Sequence, residues 1–110
     1  MSNKTAALEW EQLRTDESRH VEEVLRQHFE AADAYRYNPA SLRVRITDSR
    51  FRGKSREERD DLVEPVLATL DEDTQADIMN IVLLCPNEVD ESFQARINNE
   101  EFENPSRSML

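Results

Sequence analysis

The sequence predicts one small domain of mixed helix and strand, and three observations carry that prediction. Leu42, Val44 and Ile46 alternate with Arg43, Arg45 and Thr47, the period of a strand with one buried face and one wet face. Ser55 and Glu58 stand three apart just ahead of an apolar stripe of Leu62, Val63, Val66, Leu67 and Leu70, the signature of a capped helix starting near Arg56. Phe51 and Gly53, the only glycine, bracket a turn between the two. Strand and helix can then cover each other's apolar faces, and the remaining elements are expected to pack on this unit.

Length and charge narrow the class further. A chain of 110 residues is normally one domain. With 35% charged residues and a net charge of −10, it is expected to be soluble and on average to repel nucleic acid and anionic membranes. No stretch has the length and apolarity of a membrane span, and no basic leader precedes an apolar segment at the N-terminus, so a cytoplasmic location is expected. Cys85 is the sole cysteine, which rules out an internal disulfide and a cysteine-rich metal site.

Residues 1–14 carry few bulky apolar residues (Leu8, Trp10, Leu13) and read as a weakly ordered leader or a short helix. The domain proper is expected over residues 15–98. Val21, Val24, Leu25, Phe29 and Ala32 share one helical face, which predicts a helix from about Thr15 or Asp16 to Ala34 with acidic residues at its start. Asn38-Pro39 marks a connection, with a short edge strand over Ala34–Tyr37 as an option. Pro65 is expected to kink the second helix. Asp71, Glu72, Asp73 and Thr74 form an acidic break. The run from Ile78 to Leu84, closed by Pro86, predicts a strand buried on both faces and flanked by neighbours in the sheet. Val89, Phe93 and Ile97 recur every four residues and predict a helix over residues 87–98. The acidic, aperiodic stretch 99–110 is expected to be a disordered tail.

The stretch RVRITDSRFRGKSREERDDLV resembles the signature of the BolA family of stress-induced morphogen proteins. The matching features are Asp48-Ser49 after the strand, Phe51, Gly53, Lys54-Ser55, Arg59 and the pair Leu62-Val63, and the likeness spans roughly residues 21–88. It implies an α+β fold: a two-layer sandwich of a three-stranded mixed sheet with helices on one face, similar in topology to type II KH domains. It also implies a non-enzymatic regulatory or adaptor role beside monothiol glutaredoxins, with which the family shares an iron–sulfur cluster. The family's ligand histidine near the start of the last strand falls at Asp77, or at Ala76 without a one-residue shift. The loop that carries its second ligand reads RYNPAS here and has neither His nor Cys. Carboxylate is a poor donor to a soft cluster iron, so the expectation is no cofactor and no metal, with Cys85 and Asp77 the remaining ligand candidates. For Cys85 the plainer alternative is a small apolar residue in a buried strand.

Other chemistry finds little support in the residues. His20 and His28 are eight positions apart, too far along one helix to chelate a metal together. Asp60, Asp61, Glu64 and Asp71–Asp73 lack the order of a calcium loop and read as a solvated acidic face. Gly53-Lys54-Ser55 looks like the end of a phosphate-binding loop, but Asp48 occupies the place of the first glycine. No Ser-His-Asp or Cys-His order is defensible, and an enzyme is not expected.

One signal hides beneath the acidic average. Between Arg43 and Arg59 there are seven basic residues, Arg43, Arg45, Arg50, Arg52, Lys54, Arg56 and Arg59, against three acidic ones. These seven are the candidate partner-binding or nucleic-acid-binding residues. Two roles follow: an adaptor whose basic turn docks a glutaredoxin-like or other protein, or a KH-like nucleic-acid binder or transcription regulator held by phosphate contacts. The alternative is that the arginines pair internally with the acidic helices. Oligomeric state is left open.

Overall fold

The computed structural model describes residues 9–104, an α+β domain built on a three-stranded mixed sheet. A 3-10 turn at Trp10–Leu13 leads into α1 (Asp16–Arg26), followed by β1 (Ala31–Asn38) and β2 (Ser41–Thr47). A second 3-10 turn at Ser49–Phe51 leads to α2 (Arg56–Leu67) and α3 (Glu72–Asp77). Then come β3 (Ile78–Leu84), α4 (Glu88–Glu91) and α5 (Phe93–Glu103). The sheet order is β1-β2-β3, with β1 antiparallel and β3 parallel to β2. No helix among the described residues is long and apolar enough to cross a membrane.

The strand-and-helix unit at the centre forms as its residues dictate. Leu42, Val44 and Ile46 are fully buried on one face of β2. The Ser55 hydroxyl accepts the Glu58 N–H at 3.1 Å while the Glu58 carboxylate accepts the Ser55 N–H at 2.8 Å, so α2 starts with the expected reciprocal cap. Val63 and Leu70 are buried and Leu62, Val66 and Leu67 pack against them. Helix α2 runs to Leu67, two residues past Pro65. On this face α1 and α2 together cover Ala32, Ala34, Leu42, Val44, Ile46 and Leu83, the two-layer arrangement.

The opposite face is covered too. Trp10, Tyr35, Val82, Leu84, Ala95 and Phe102 form a second cluster, with Trp10 and Phe102 rings 5.2 Å apart and edge-on. The wet face expected for β2 is therefore half closed.

Several boundaries differ from expectation. The first helix stops at Arg26 rather than Ala34: Phe29 N–H still reaches the Leu25 carbonyl at 2.9 Å, but Ala32 and Ala34 then alternate along β1, which fits a strand as well as a helix. The short edge strand offered over Ala34–Tyr37 is present as the longer β1, so the connection around Asn38-Pro39 shrinks to a tight turn at residues 39–40. The acidic break holds α3, because Asp71 accepts the Thr74 N–H at 2.7 Å and caps it. Strand β3 is an edge strand, not a flanked one: its apolar run reflects cover on both faces, by α2 below and α5 above. At the C-terminus Ser92 caps a new helix, accepting Ala95 N–H at 3.2 Å, and the restart shifts the helical phase. Ala95 and Phe102 are buried, whereas Phe93 is 73% exposed. The expected tail is thus helical as far as Glu103, and of the expected leader Trp10 is buried; residues 1–8 and 105–110 of those two segments lie outside the described residues.

Candidate interaction surface at the basic turn

The turn between β2 and α2 is pinned on both sides. Asp48, 2% exposed, closes β2: its N–H donates to the Leu84 carbonyl at 2.9 Å. Its Oδ2 accepts the Glu30 N–H at 3.0 Å, tying in the α1–β1 turn, and its Oδ1 accepts the Arg50 N–H at 2.9 Å. The Arg50 guanidinium lies against the same carboxylate at 2.9 and 3.1 Å. Hydrogen bonds from Arg50 hold the Asp48 carboxyl below its ordinary range, against the effect of burial. Phe51 is fully buried, its ring 6.0 Å from that of Phe29.

On the other side Arg59 acts as a latch. Its guanidinium grips Glu88 with two bonds, at 2.9 and 3.0 Å, and donates to the Leu83 carbonyl at 2.8 Å. Glu88 also accepts the Cys85 N–H at 2.9 Å. Burial alone would raise the Glu88 carboxyl, but the bonds from Arg59 and Cys85 hold it low. Arg52 donates to the Pro86 carbonyl at 2.6 Å and pairs with Glu91 at 2.9 Å. What projects is the tip: Arg52, Gly53, Lys54 and Ser55 are exposed. Gly53 has φ +76°, a left-handed conformation that other residues adopt only with strain, although a Cβ there would meet nothing within 4 Å.

The seven basic residues do not form one patch. Arg50, Arg52, Lys54, Arg56 and Arg59 gather at the turn and the first two turns of α2. Arg43 and Arg45 stand on the opposite side of the sheet. Arg45 is enclosed: it pairs with Asp33 at 2.8 Å and Glu103 at 2.7 Å and lies 4.6 Å from the Phe102 ring centroid. Arg43 stacks on Tyr37 at 4.4 Å, and its Nε is buried without a hydrogen-bond partner. Arg56 pairs with Asp60 at 2.9 Å on the α2 surface. Five of the seven therefore contact a carboxylate, and only Arg43 and Lys54 form no ion pair among the described residues. Asp33, Glu88, Glu91 and Glu103 escaped the sequence reading because nothing local marks a partner 12 to 58 residues away.

The remaining ligand candidates are far apart and engaged. Asp77 accepts from Arg36 at 3.0 Å just before β3, and Cys85 is buried just after it, about 25 Å away at strand rise. Burial, with Glu88 beside it, pushes the Cys85 thiol above its ordinary range, which disfavours the thiolate a metal needs. Among the described residues no three His, Cys, Asp or Glu side chains are grouped to hold a metal ion. The loop Arg36–Ser41 presents backbone and Arg36 bonds, not donors for iron. These residues do not fit an iron–sulfur cluster. His20 lies exposed 3.9 Å from Glu23, and His28 sits beyond the end of α1, so the two do not share a helix as expected. A scan against protein-family models and searches of curated proteins and solved structures found no match to this chain.

Proposed function

We propose that this protein is a non-enzymatic adaptor of the BolA type, docking a protein partner on the rigid basic tip formed by Arg52, Gly53, Lys54 and Ser55. The observation that carries this reading is the construction of the tip. A fully buried Phe51 anchors it from beneath, Asp48 and Arg59 fix its two ends, and four consecutive exposed residues are left presenting charge and backbone. A preorganised convex loop of this kind loses little entropy on binding. The order of helices and strands and the mixed sheet with β2 at its centre also support kinship with that family.

A monothiol glutaredoxin is the first partner to test, and the association is direct and cluster-free, since Asp77 and Cys85 are unsuited as ligands. In a pull-down with immobilised monothiol glutaredoxin the protein is retained, and Lys54→Glu with Arg52→Glu releases it. Failure of the wild-type chain to bind any glutaredoxin tested removes this partner. A visible absorption band after anaerobic reconstitution of the mixture removes the cluster-free part.

The KH-like nucleic-acid reading is weaker because internal carboxylates already take five of its seven cations. It predicts measurable affinity for random DNA or RNA at low salt with a steep salt slope. The expected result here is no such binding.

A further inference from the structure

Helix α5 is apolar on two opposite faces. Ala95 and Phe102 turn inward and are buried in the second core cluster. Phe93 and Ile97 stand two positions on either side of Ala95, just over half a turn round the helix, and so point away from the sheet. Phe93 is 73% exposed and Ile97 42%, and at four residues apart they share one patch. Among the described residues the large apolar side chains left exposed are Leu13, Met79, Phe93 and Ile97, and only these last two lie on one element. Isolated exposed apolar residues are ordinary, whereas a contiguous pair marks a contact surface.

The charges beside the patch carry both signs. Arg96, the one basic residue of α4 and α5, lies a turn on from Phe93, and Glu100 lies a turn on from both Arg96 and Ile97, along the same flank. Both are exposed. The carboxylates of α4 and α5 that form ion pairs are Glu88, Glu91 and Glu103; Arg96 and Glu100 form none among the described residues.

We propose that the Phe93–Ile97 face of α5 is the contact of a homodimer, in which the α5 helices of two copies pack antiparallel about a two-fold axis beside Ile97. In that arrangement the same flank of each helix meets the other. A cation and an anion one turn apart on that flank are then self-complementary: Arg96 of each copy comes opposite Glu100 of the other, while the two Ile97 side chains meet at the axis with a Phe93 on either side. A partner of a single charge sign would match only one of the two. The net charge of −10 does not forbid the pairing, because at physiological salt charges more than about 8 Å apart are largely screened from each other. An 11-residue helix is about 16 Å long, so the contact is small and the dimer weak, forming at roughly 0.1–1 mM. The face is separate from the basic tip and does not rest on the reading of that tip.

The test is sedimentation equilibrium of the full chain up to about 1 mM, with amide spectra of the 15N-labelled chain over the same dilution series. The expected result is a mass rising towards twice that of the chain, with concentration-dependent shifts centred on residues 93–101. Phe93→Ser and Ile97→Ser, at exposed positions, should keep the thermal stability and weaken self-association about tenfold. Arg96→Glu and Glu100→Arg should each weaken it as well, the double variant should restore it, and the two single variants mixed should associate with each other. A monomeric mass throughout the series, shifts centred elsewhere, wild-type self-association in Phe93→Ser, or no restoration in the double variant overturns the proposal. A chain that stays monomeric but shows saturable shifts at Phe93 and Ile97 with a lysine–leucine amphipathic helical peptide overturns it in favour of a different protein on this face.

Discussion

Two buried polar side chains illustrate how single residues set the behaviour of this domain. Asp48 is nearly inaccessible and accepts four hydrogen bonds from three places: the α1–β1 turn, the backbone of the 3-10 turn and the Arg50 guanidinium. Removing the carboxylate in Asp48→Ala strands those donors, and the loss should be about 2 kcal/mol in chemical denaturation. Because the Asp48 pKa is lowered in the fold, its stabilisation is present above the unfolded carboxylate's pKa and is lost as pH falls through the folded value. Asp48→Asn should therefore flatten the acid limb of the stability profile; an unchanged acid limb counts against this role. Tyr35 behaves in the opposite sense. It is fully buried, donates its hydroxyl to the Phe102 carbonyl, and burial pushes its phenol up to about 12. An unfolded tyrosine titrates near 10, so the unfolded chain releases its proton first and stability falls as pH rises from about 10 to about 12. Tyr35→Phe should remove that decline while costing about 1 kcal/mol at neutral pH, read by urea unfolding at several pH values. In the sequence Asp48 was legible only as the first of the pair Asp48-Ser49 that follows the strand. Its hold on Glu30 was not, since that bond spans 18 residues.

At the scale of elements, legibility followed the strength of local signals. The α2 start was readable because Ser55 and Glu58 satisfy each other's backbone donors at a fixed spacing, and Ser55→Ala should lower stability by about 1 kcal/mol without shifting neighbouring elements. The β2 pattern was readable because strict alternation tolerates one period only. The end of α1 was not, since no glycine or proline stops it and Phe29 and Ala32 continue its stripe. In the C-terminal region Val89, Phe93 and Ile97 suggested one helix, but the Ser92 cap breaks the phase and turns Phe93 outward. The structural consequence is large. Phe102, expected in a tail, is completely buried against Tyr35 and Trp10 at ring distances of 5.1 and 5.2 Å. Phe102→Ala should cost about 3–5 kcal/mol, and truncation after Asn98 should unfold the second core cluster. Retention of wild-type thermal stability by either variant would return residues 99–104 to the status of a tail.

Over the whole molecule the decisive quantity is where the charge goes. A segment with seven basic and three acidic residues looks like a binding stripe, yet the fold sets Arg43 and Arg45 on one side of the sheet and the other five on the opposite side, and it supplies carboxylates from β1, α4 and α5 to Arg45, Arg52 and Arg59. Sequence order shows the cations but not these partners, because the pairs join β2 and its turn to elements at both ends of the chain. Exposed ion pairs of this type add little stability, while partly buried ones such as Arg59–Glu88 fix geometry. They leave a narrow exposed tip around Lys54 in place of a broad cationic surface, which is why the proposed partner is a protein rather than a phosphate backbone. The most direct measurement is a two-dimensional amide titration of the full chain, at low salt, with a monothiol glutaredoxin and separately with a short duplex DNA. Saturable shifts confined to residues 51–56 with the glutaredoxin, and none with the duplex, are the result expected. Salt-sensitive shifts spread over Arg43, Arg45 and the turn with the duplex, or a glutaredoxin spectrum superimposable on that of the free protein, would contradict it.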